Sequence, residues 1–350
     1  MLTRRGERVT NKTGSFECNK IMVMAIVLIV VGFFSLGVGS YDIAPDMVLA
    51  ILLGKVMHLN QMLPMDVEMV VMKVRLPRII AAVLVGAALA ASGAAYQGLF
   101  RNPMVSPGLL GVSAGASFGA ALGILLSFSN LGIQVAAFVF GLLAVTITYL
   151  ISTWLAKQND TLLVMILTGI IISTLFSSFV SLVKYVADPF SKLPAIAYWL
   201  MGSLASIRLG DVYAVFFPIA AGLIVLTLIR WQLNVMSFGE EEAKALGIHT
   251  GRLRILVILC ATLITSAAVS ISGVITLVGL VVPHFARLLM GANYSTLMPA
   301  SILMGGIYLL LVDDLARTLF AMEIPLGIIT AIIGAPFFLY LLVNGRRGWV

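Results

Sequence analysis

Long apolar runs broken by short polar stretches fill most of the chain. The first covers residues 21–38, and others follow at roughly 76–98, 107–127, 131–155, 161–186, 210–230, 251–272, 274–291, 296–319 and 325–343. A helix needs about 20 apolar residues to cross a bilayer, and a crossing segment must satisfy its own backbone hydrogen bonds. The pattern therefore predicts an all-α polytopic membrane protein with ten transmembrane helices. The run around Pro283 is short and punctuated by Gly and Pro, and an apolar piece near 194–205 is too short to cross.

Composition excludes the other classes. Of 350 residues, 61% are hydrophobic and only 11% charged, with a mean hydropathy of +1.09. A soluble domain carries about 25% charged residues and needs a polar shell that this chain cannot supply. Disorder, a disulfide scaffold and a coiled coil fall with it, and Cys18 and Cys260 make no framework. The net charge of +7 would suggest nucleic acid in a soluble protein. Here it reads as basic cytoplasmic loops, with no nucleic-acid partner.

Arg4, Arg5, Arg8, Lys12 and Lys20 precede the first run, which is too long for a signal peptide. Residues 1–20 read as a cytoplasmic tail and the run as an uncleaved first helix. With ten spans both termini lie inside, fourteen of the 22 basic residues fall in cytoplasmic segments, and nine of the 15 acids fall outside. That is the expected bias.

Gly111, Gly115, Gly119 and Gly123 form one stripe down a helix, and Gly86, Ala90 and Gly93, or Gly327, Ala331 and Ala335, suggest the same. Such stripes allow close backbone approach, within the chain or at a pore wall or dimer seam. Arg75-Leu-Pro-Arg78, Ser92-Gly93 and Pro103 find counterparts in Arg252-Leu-Arg254, Ser272-Gly273 and Pro283. The last two pairs share one offset, which hints at an inverted repeat.

Charges avoid the span interiors, so a proton relay has no obvious members. Asp313 and Arg317 stand four apart and can pair on one helix face, as can Lys184 and Asp188. Three scattered His give no metal site. The zinc-protease, nucleophile-elbow and Walker patterns are absent. The chain is therefore read as having no catalytic residue, no metal, no cofactor and no ATP site of its own, so energy must come from a gradient or another subunit. Between two spans lies Phe238-Gly-Glu-Glu-Glu-Ala-Lys-Ala-Leu-Gly-Ile248, whose helical part ends at Gly247. Ala243, Leu246 and Ile248 offer a small apolar face, which suits either a partner or an ordinary connecting loop.

With these residues assembled, the chain resembles the membrane permeases of type II ABC importers, which move ferric siderophores, haem and cobalamin. The resemblance rests on Arg75-Leu-Pro-Arg78, Ser92-Gly93-Ala-Ala-Tyr-Gln97, Arg101-Asn-Pro103, Pro107-Gly-Leu-Leu-Gly111, Tyr198-Trp-Leu-Met-Gly-Ser203, Gly239-Glu-Glu-Glu-Ala243, Leu246-Gly247, Gly279-Leu-Val-Val-Pro-His284, Glu323-Ile-Pro-Leu-Gly327 and Gly334-Ala-Pro-Phe-Phe338. It covers about residues 75–343, in order.

The resemblance implies one permease domain over residues 1–350, ten helices, and an inverted repeat of helices 2–5 and 7–10. It implies a homodimer in the cell membrane with the translocation path at its interface, two separate ATPase subunits, and an extracytoplasmic binding protein. Arg75, Arg78 and Arg317 match the arginines that meet acids of the binding protein; a structural role for Arg78 or Arg317 is the competing reading. Gly239, Glu240, Ala243, Leu246 and Gly247, within 238–250, match the coupling helices that seat in the ATPase. Asn159 and Thr161 fall at the position of the cytoplasmic gate, and Pro283 and His284 shape a helix. A ferric siderophore is the favoured cargo, with haem or cobalamin as alternatives. A gradient-driven secondary transporter or an intramembrane enzyme would need intramembrane ionisable groups that the spans lack.

Overall fold

The computed structural model describes residues 3–39, 41, 43–57, 65–156, 161–320 and 322–344, with side chains left aside at some helix ends. Fifteen α-helices run through these residues: α1 Thr3–Gly37, α2 Pro45–Met57, α3 Met65–Met69, α4 Leu76–Leu99, α5 Val112–Leu125, α6 Asn130–Leu155, α7 Thr161–Val186, α8 Lys192–Met201, α9 Leu209–Leu228, α10 Arg230–Met236, α11 Glu240–Ala245, α12 Thr250–Ser272, α13 Val278–Met290, α14 Tyr294–Thr318 and α15 Leu326–Asn344. Seven segments are long and apolar enough to cross a membrane, in α1, α3–α4, α6, α7, α9, α12 and α14. The shorter apolar helices α5, α13 and α15 complete the ten. The charged segment ahead of the first apolar run belongs to the same helix, since α1 starts at Thr3. Helix α2 was not expected from the pattern, and α8 is the short piece near 194–205.

Local chemistry sets the boundaries. The second span does not open at Arg75. It starts in α3, passes through a π-helical turn at Val70–Arg75, and continues as α4. Pro77 explains the turn: it lacks an N–H and its ring crowds the carbonyl one turn back. The wider turn relieves this, and Leu76 N–H reaches Val71 O. The α4 end is a Schellman motif: Asn102 N–H bonds Gln97 O and Arg101 N–H bonds Gly98 O, with Arg101 left-handed at φ 48 and Pro103 stopping the helix.

The two halves have the same plan. Each has a long helix, a short one and two further ones, α4–α7 and α12–α15, and a left-handed residue leads each short helix: Gly111 before α5 and Leu277 before α13. Helices α4 and α12 pack on each other; α4 also packs on α13 and α14 of the other half, and α12 on α5 and α6. The repeat is inverted, because α4 enters from the end where Arg78 lies and α12 enters from the end where α11 lies. The sequence landmarks are not its equivalent positions. Gly93 is inside α4 whereas Gly273 caps α12, and Pro103 is in a loop whereas Pro283 is inside α13. The true register pairs Val112 with Val278, the first residues of α5 and α13.

Close helix approach holds the centre. A Cβ on Gly86 would overlap the carbonyl of Gly305, and one on Gly93 the carbonyl of Gly279. Gly115 and Gly119 do the same against Phe140 and Ala136 of α6, and Gly123 faces Ile133. The first glycine stripe is therefore an intramolecular seam. In α15, Gly327 abuts the carbonyls of Met201 and Val274, whereas Ala335 is exposed. Tyr96 on α4 and Thr262 on α12 add a buried hydrogen bond of 3.1 Å between hydroxyls.

Candidate functional site

Two polar constellations occupy opposite ends of the helices. Tyr294, at the start of α14, donates its N–H to Asn234 Oδ1 of α10, while Asp313, Asp314 and Arg317 lie at the other end of the same helix. Its 25 residues place these ends about 35 Å apart.

At the first end, arginines and acids form a buried network. Arg78 Nε donates to both Asp313 oxygens at 3.0 and 2.9 Å, and its Nη1 to both Glu323 oxygens at 2.8 and 2.9 Å. Asp313 is fully buried and Arg78 only 6% exposed. Arg317 Nε stands 3.7 Å from Asp313, and its Nη2 meets Asp314 and Ser35 of α1. Ser35 in turn donates to Asp314 at 2.6 Å. Arg75 donates to Leu36 O at 2.7 Å and to Tyr41 O. A buried guanidinium needs partners, since its desolvation costs several kcal/mol, and here α1, Tyr41 just after it, α14 and Glu323 before α15 supply them.

All three arginines matched to docking thus point into the protein, at about 5% exposure. The Asp313–Arg317 spacing produces the contact expected of it, but Arg78 is the closer partner of Asp313. Sequence reasoning gave no role to Glu323 or Ser35. The signal for Glu323 was an acid directly before Ile-Pro at a span start; Ser35 offered none. Asp188 does not use its spacing to Lys184. It accepts from Ser191 N at 2.7 Å and from the Ser191 hydroxyl, which holds its carboxyl below the usual value.

At the second end, α10 and α11 form a short helical pair. Gly239, at φ +149, precedes α11, where Glu240 pairs with Arg254 of α12. Gly247 N–H bonds Lys244 O and Ile248 N–H bonds Ala243 O, each at 2.9 Å. This is a Schellman stop with Gly247 left-handed at φ 81, at the residue where the sequence ended the helix. The apolar face differs from the expected one. Ala243 is fully buried against the bundle and Ile248 packs on the core. Leu246 at 64% and Phe238 at 74% exposure face outward instead, because a six-residue helix can bury only one side.

Asn159 lies outside the described residues, and Thr161 opens α7 with its side chain likewise outside them. Pro283 lies inside α13. Arg287 on the same helix donates to Gln97 Oε1 at 3.3 Å. Among the described residues, no group of three His, Cys, Asp or Glu is placed to hold a metal ion.

Known proteins resemble the chain in sequence and fold. The sequence profile of the FecCD transport family matches residues 27–344, which extends the resemblance into the first helix. The molybdate import system permease protein MolB of Haemophilus influenzae is 41% identical over 325 residues, 93% of this chain and 95% of that one. An iron chelatin transport system permease protein of Helicobacter pylori is 39% identical over 281 residues, 80% of this chain and 84% of that one. A solved metal-chelate type ABC transporter in an inward-facing conformation superposes with a TM-score of 0.83 at 39% identity, covering 93% of this chain and 99% of that one. With the ten-helix inverted repeat, these matches identify the chain as a member of the FecCD transport family, the permeases of type II ABC importers.

Proposed function

We propose that the whole chain is one permease domain that pairs with a second copy, forming the path through which an iron chelate crosses the cell membrane. An extracytoplasmic binding protein delivers the cargo at the Arg78 end, and two ATPase subunits seat at the α11 end. Both termini are cytoplasmic. The observation that carries this reading is the separation of the two constellations by one helix length. A buried arginine network that Glu323 and Asp314 extend toward the surface lies at one end, and a short helical pair with Leu246 and Phe238 outward lies at the other.

Arg75, Arg78 and Arg317 carry the docking charge. Because they are buried, the surface-reaching acids must yield on docking: Glu323 has a side-chain exposure of 35% and Asp314 of 18%. Exchange of one ion pair for another fixes register and steers encounter more than it adds affinity. Glu240, held by Arg254, sets α11 on the start of α12, so movement of an ATPase against Leu246 and Gly247 passes through the buried Gly239 and Ala243 into a core helix. Asn159 and Thr161 form the inner gate.

An iron chelate is preferred to a small oxyanion because charged residues gather at the span ends, so a path along the spans meets few of them. A wall of that kind passes a large amphiphilic complex without trapping it. Haem and cobalamin fit the same mechanism.

The test is ATPase stimulation in liposomes holding the permease, its ATPase and its binding protein, challenged separately with ferric siderophores, haem, cobalamin and molybdate. Stimulation by a ferric siderophore, lost on Arg75→Glu with Arg78→Glu, is the expected result. Stimulation by molybdate alone overturns the cargo assignment. Uptake that follows a proton or sodium gradient without an ATPase overturns the mechanism.

A further inference from the structure

A cleft of about 460 Å³ opens at the Arg78 end, away from the arginine network, between the α5–α6 turn, α8, the start of α9 and the end of α12. Its walls include Phe128, Tyr198, Trp199, Gln134, Ser203 and Asp211. Gln134 of α6 donates its Nε2 to Asp211 Oδ1 at 2.8 Å. Since a carboxylate only accepts, this bond fixes which way the amide faces. Gln134 Oε1 is left buried with no hydrogen-bond partner. Asp211 also accepts from Arg208 N–H at 2.8 Å, which uses about two of its four lone-pair sites. The cleft thus sets two acceptors with unused capacity, Gln134 Oε1 and the Asp211 carboxylate, beside aromatic rings. Those are the features of a site for an N–H-bearing cation.

A second groove of about 140 Å³ continues from it along α6 and α9. It is lined by Leu131, Val135, Phe138, Val215 and Pro218, and it shares Gln134 and Ser270 with the cleft. Pro218 is seven residues along α9 from Asp211, about 10 Å deeper in the membrane. Leu131 and Val135 are half exposed on the bundle exterior, so the groove opens on the lipid side. Arg208, exposed one turn before Asp211, supplies a positive charge at the rim. Tyr198 and Trp199 have the amphipathic character that settles at a bilayer boundary.

We infer that this cleft and groove form a binding site for an ethanolamine phospholipid. The primary ammonium donates to Asp211 and Gln134 Oε1, the phosphate lies toward Arg208, and an acyl chain follows the α6–α9 groove. A choline headgroup has no N–H to donate, and a glycerol headgroup has no cation. The site therefore discriminates by headgroup. It does not depend on which cargo the permease carries.

Native mass spectrometry of the full-length protein in detergent tests this, with dioleoyl phosphatidylethanolamine, phosphatidylcholine and phosphatidylglycerol added in turn. Several-fold greater retention of the ethanolamine lipid is expected. It should fall to the choline level in Gln134→Leu and in Asp211→Asn, which keeps the α9 cap. Ala214→Trp, at a residue that lines the groove and not the cleft, should weaken retention of the ethanolamine lipid. Glycerophosphoethanolamine, which lacks the chains, should not displace it at equal concentration. Equal retention of the three lipids, a preference unchanged in Gln134→Leu and Asp211→Asn, or full displacement by the chain-free headgroup would each overturn the proposal.

Discussion

Helices α12 and α7 have the same hydropathy, 2.3 over their most apolar windows, yet 78% of the first window is buried in the protein and 33% of the second. Hydropathy places both in the membrane and cannot separate them. What separates them is side-chain size and polarity. Helix α12 turns Cys260, Ala261, Thr262, Ala267, Ala268 and several serines inward, and α4 meets it with alanines and glycines. Helix α7 presents Leu163, Leu167, Ile170, Ile171 and Leu182 to the exterior. Lipid is as apolar as leucine, so large apolar residues gain nothing by leaving it, whereas small ones gain close packing and hydrogen bonds.

Five single substitutions and one double variant probe the packed and the exposed regions. The largest effect belongs to Gly86→Leu, because the new side chain meets the Gly305 backbone rather than a movable side chain. The expected outcome is no folded species in size-exclusion chromatography. Ile171→Phe on the outer face of α7 should elute and melt like the parent. If Gly86→Leu folds equally well, the central seam is looser than its geometry.

Asp313→Asn comes next. It leaves Arg78 and Arg317 buried with reduced compensation, at a cost of about 3–5 kcal/mol, seen as a large drop in thermal stability. Arg78→Met combined with Asp313→Leu should recover most of the loss. Failure to recover would show that Glu323 and Arg317 bear more of the network than their geometry indicates. Tyr96→Phe then removes one α4–α12 hydrogen bond and should cost about 0.6–1 kcal/mol, the scale of such bonds between membrane helices. Leu246→Asp should leave melting unchanged, since the side chain is exposed. It should abolish stimulation of the ATPase in the reconstituted assay.

The limits of legibility follow the same line. The ten spans were visible because apolar length is a one-dimensional property, although the first two helices begin well before their expected starts, α1 at Thr3 and the second span at Met65. The Gly247 stop was visible because a left-handed position has few candidates. Helix α2 was missed, since its apolar run is short and breaks off at Lys55. The repeat was recognised from landmarks that proved not to be equivalent, because Ser-Gly and Pro recur wherever helices pack or end. The outward face of α11 was partly misread: which side of a short helix meets the bundle depends on α12, not on its own sequence.

By itself, then, the sequence determined a membrane-embedded, all-helical chain, the order of its spans, and the motifs that mark its family. Each of these depends on composition or on neighbours along the chain. Only the tertiary structure decided that Arg78 is shared by Asp313 and Glu323, that Ser35 reaches Asp314, and that Gln134 keeps an acceptor without a donor. These contacts join residues tens to hundreds of positions apart. Their energy comes from removing charges and amides from water, which happens only once the helices have packed.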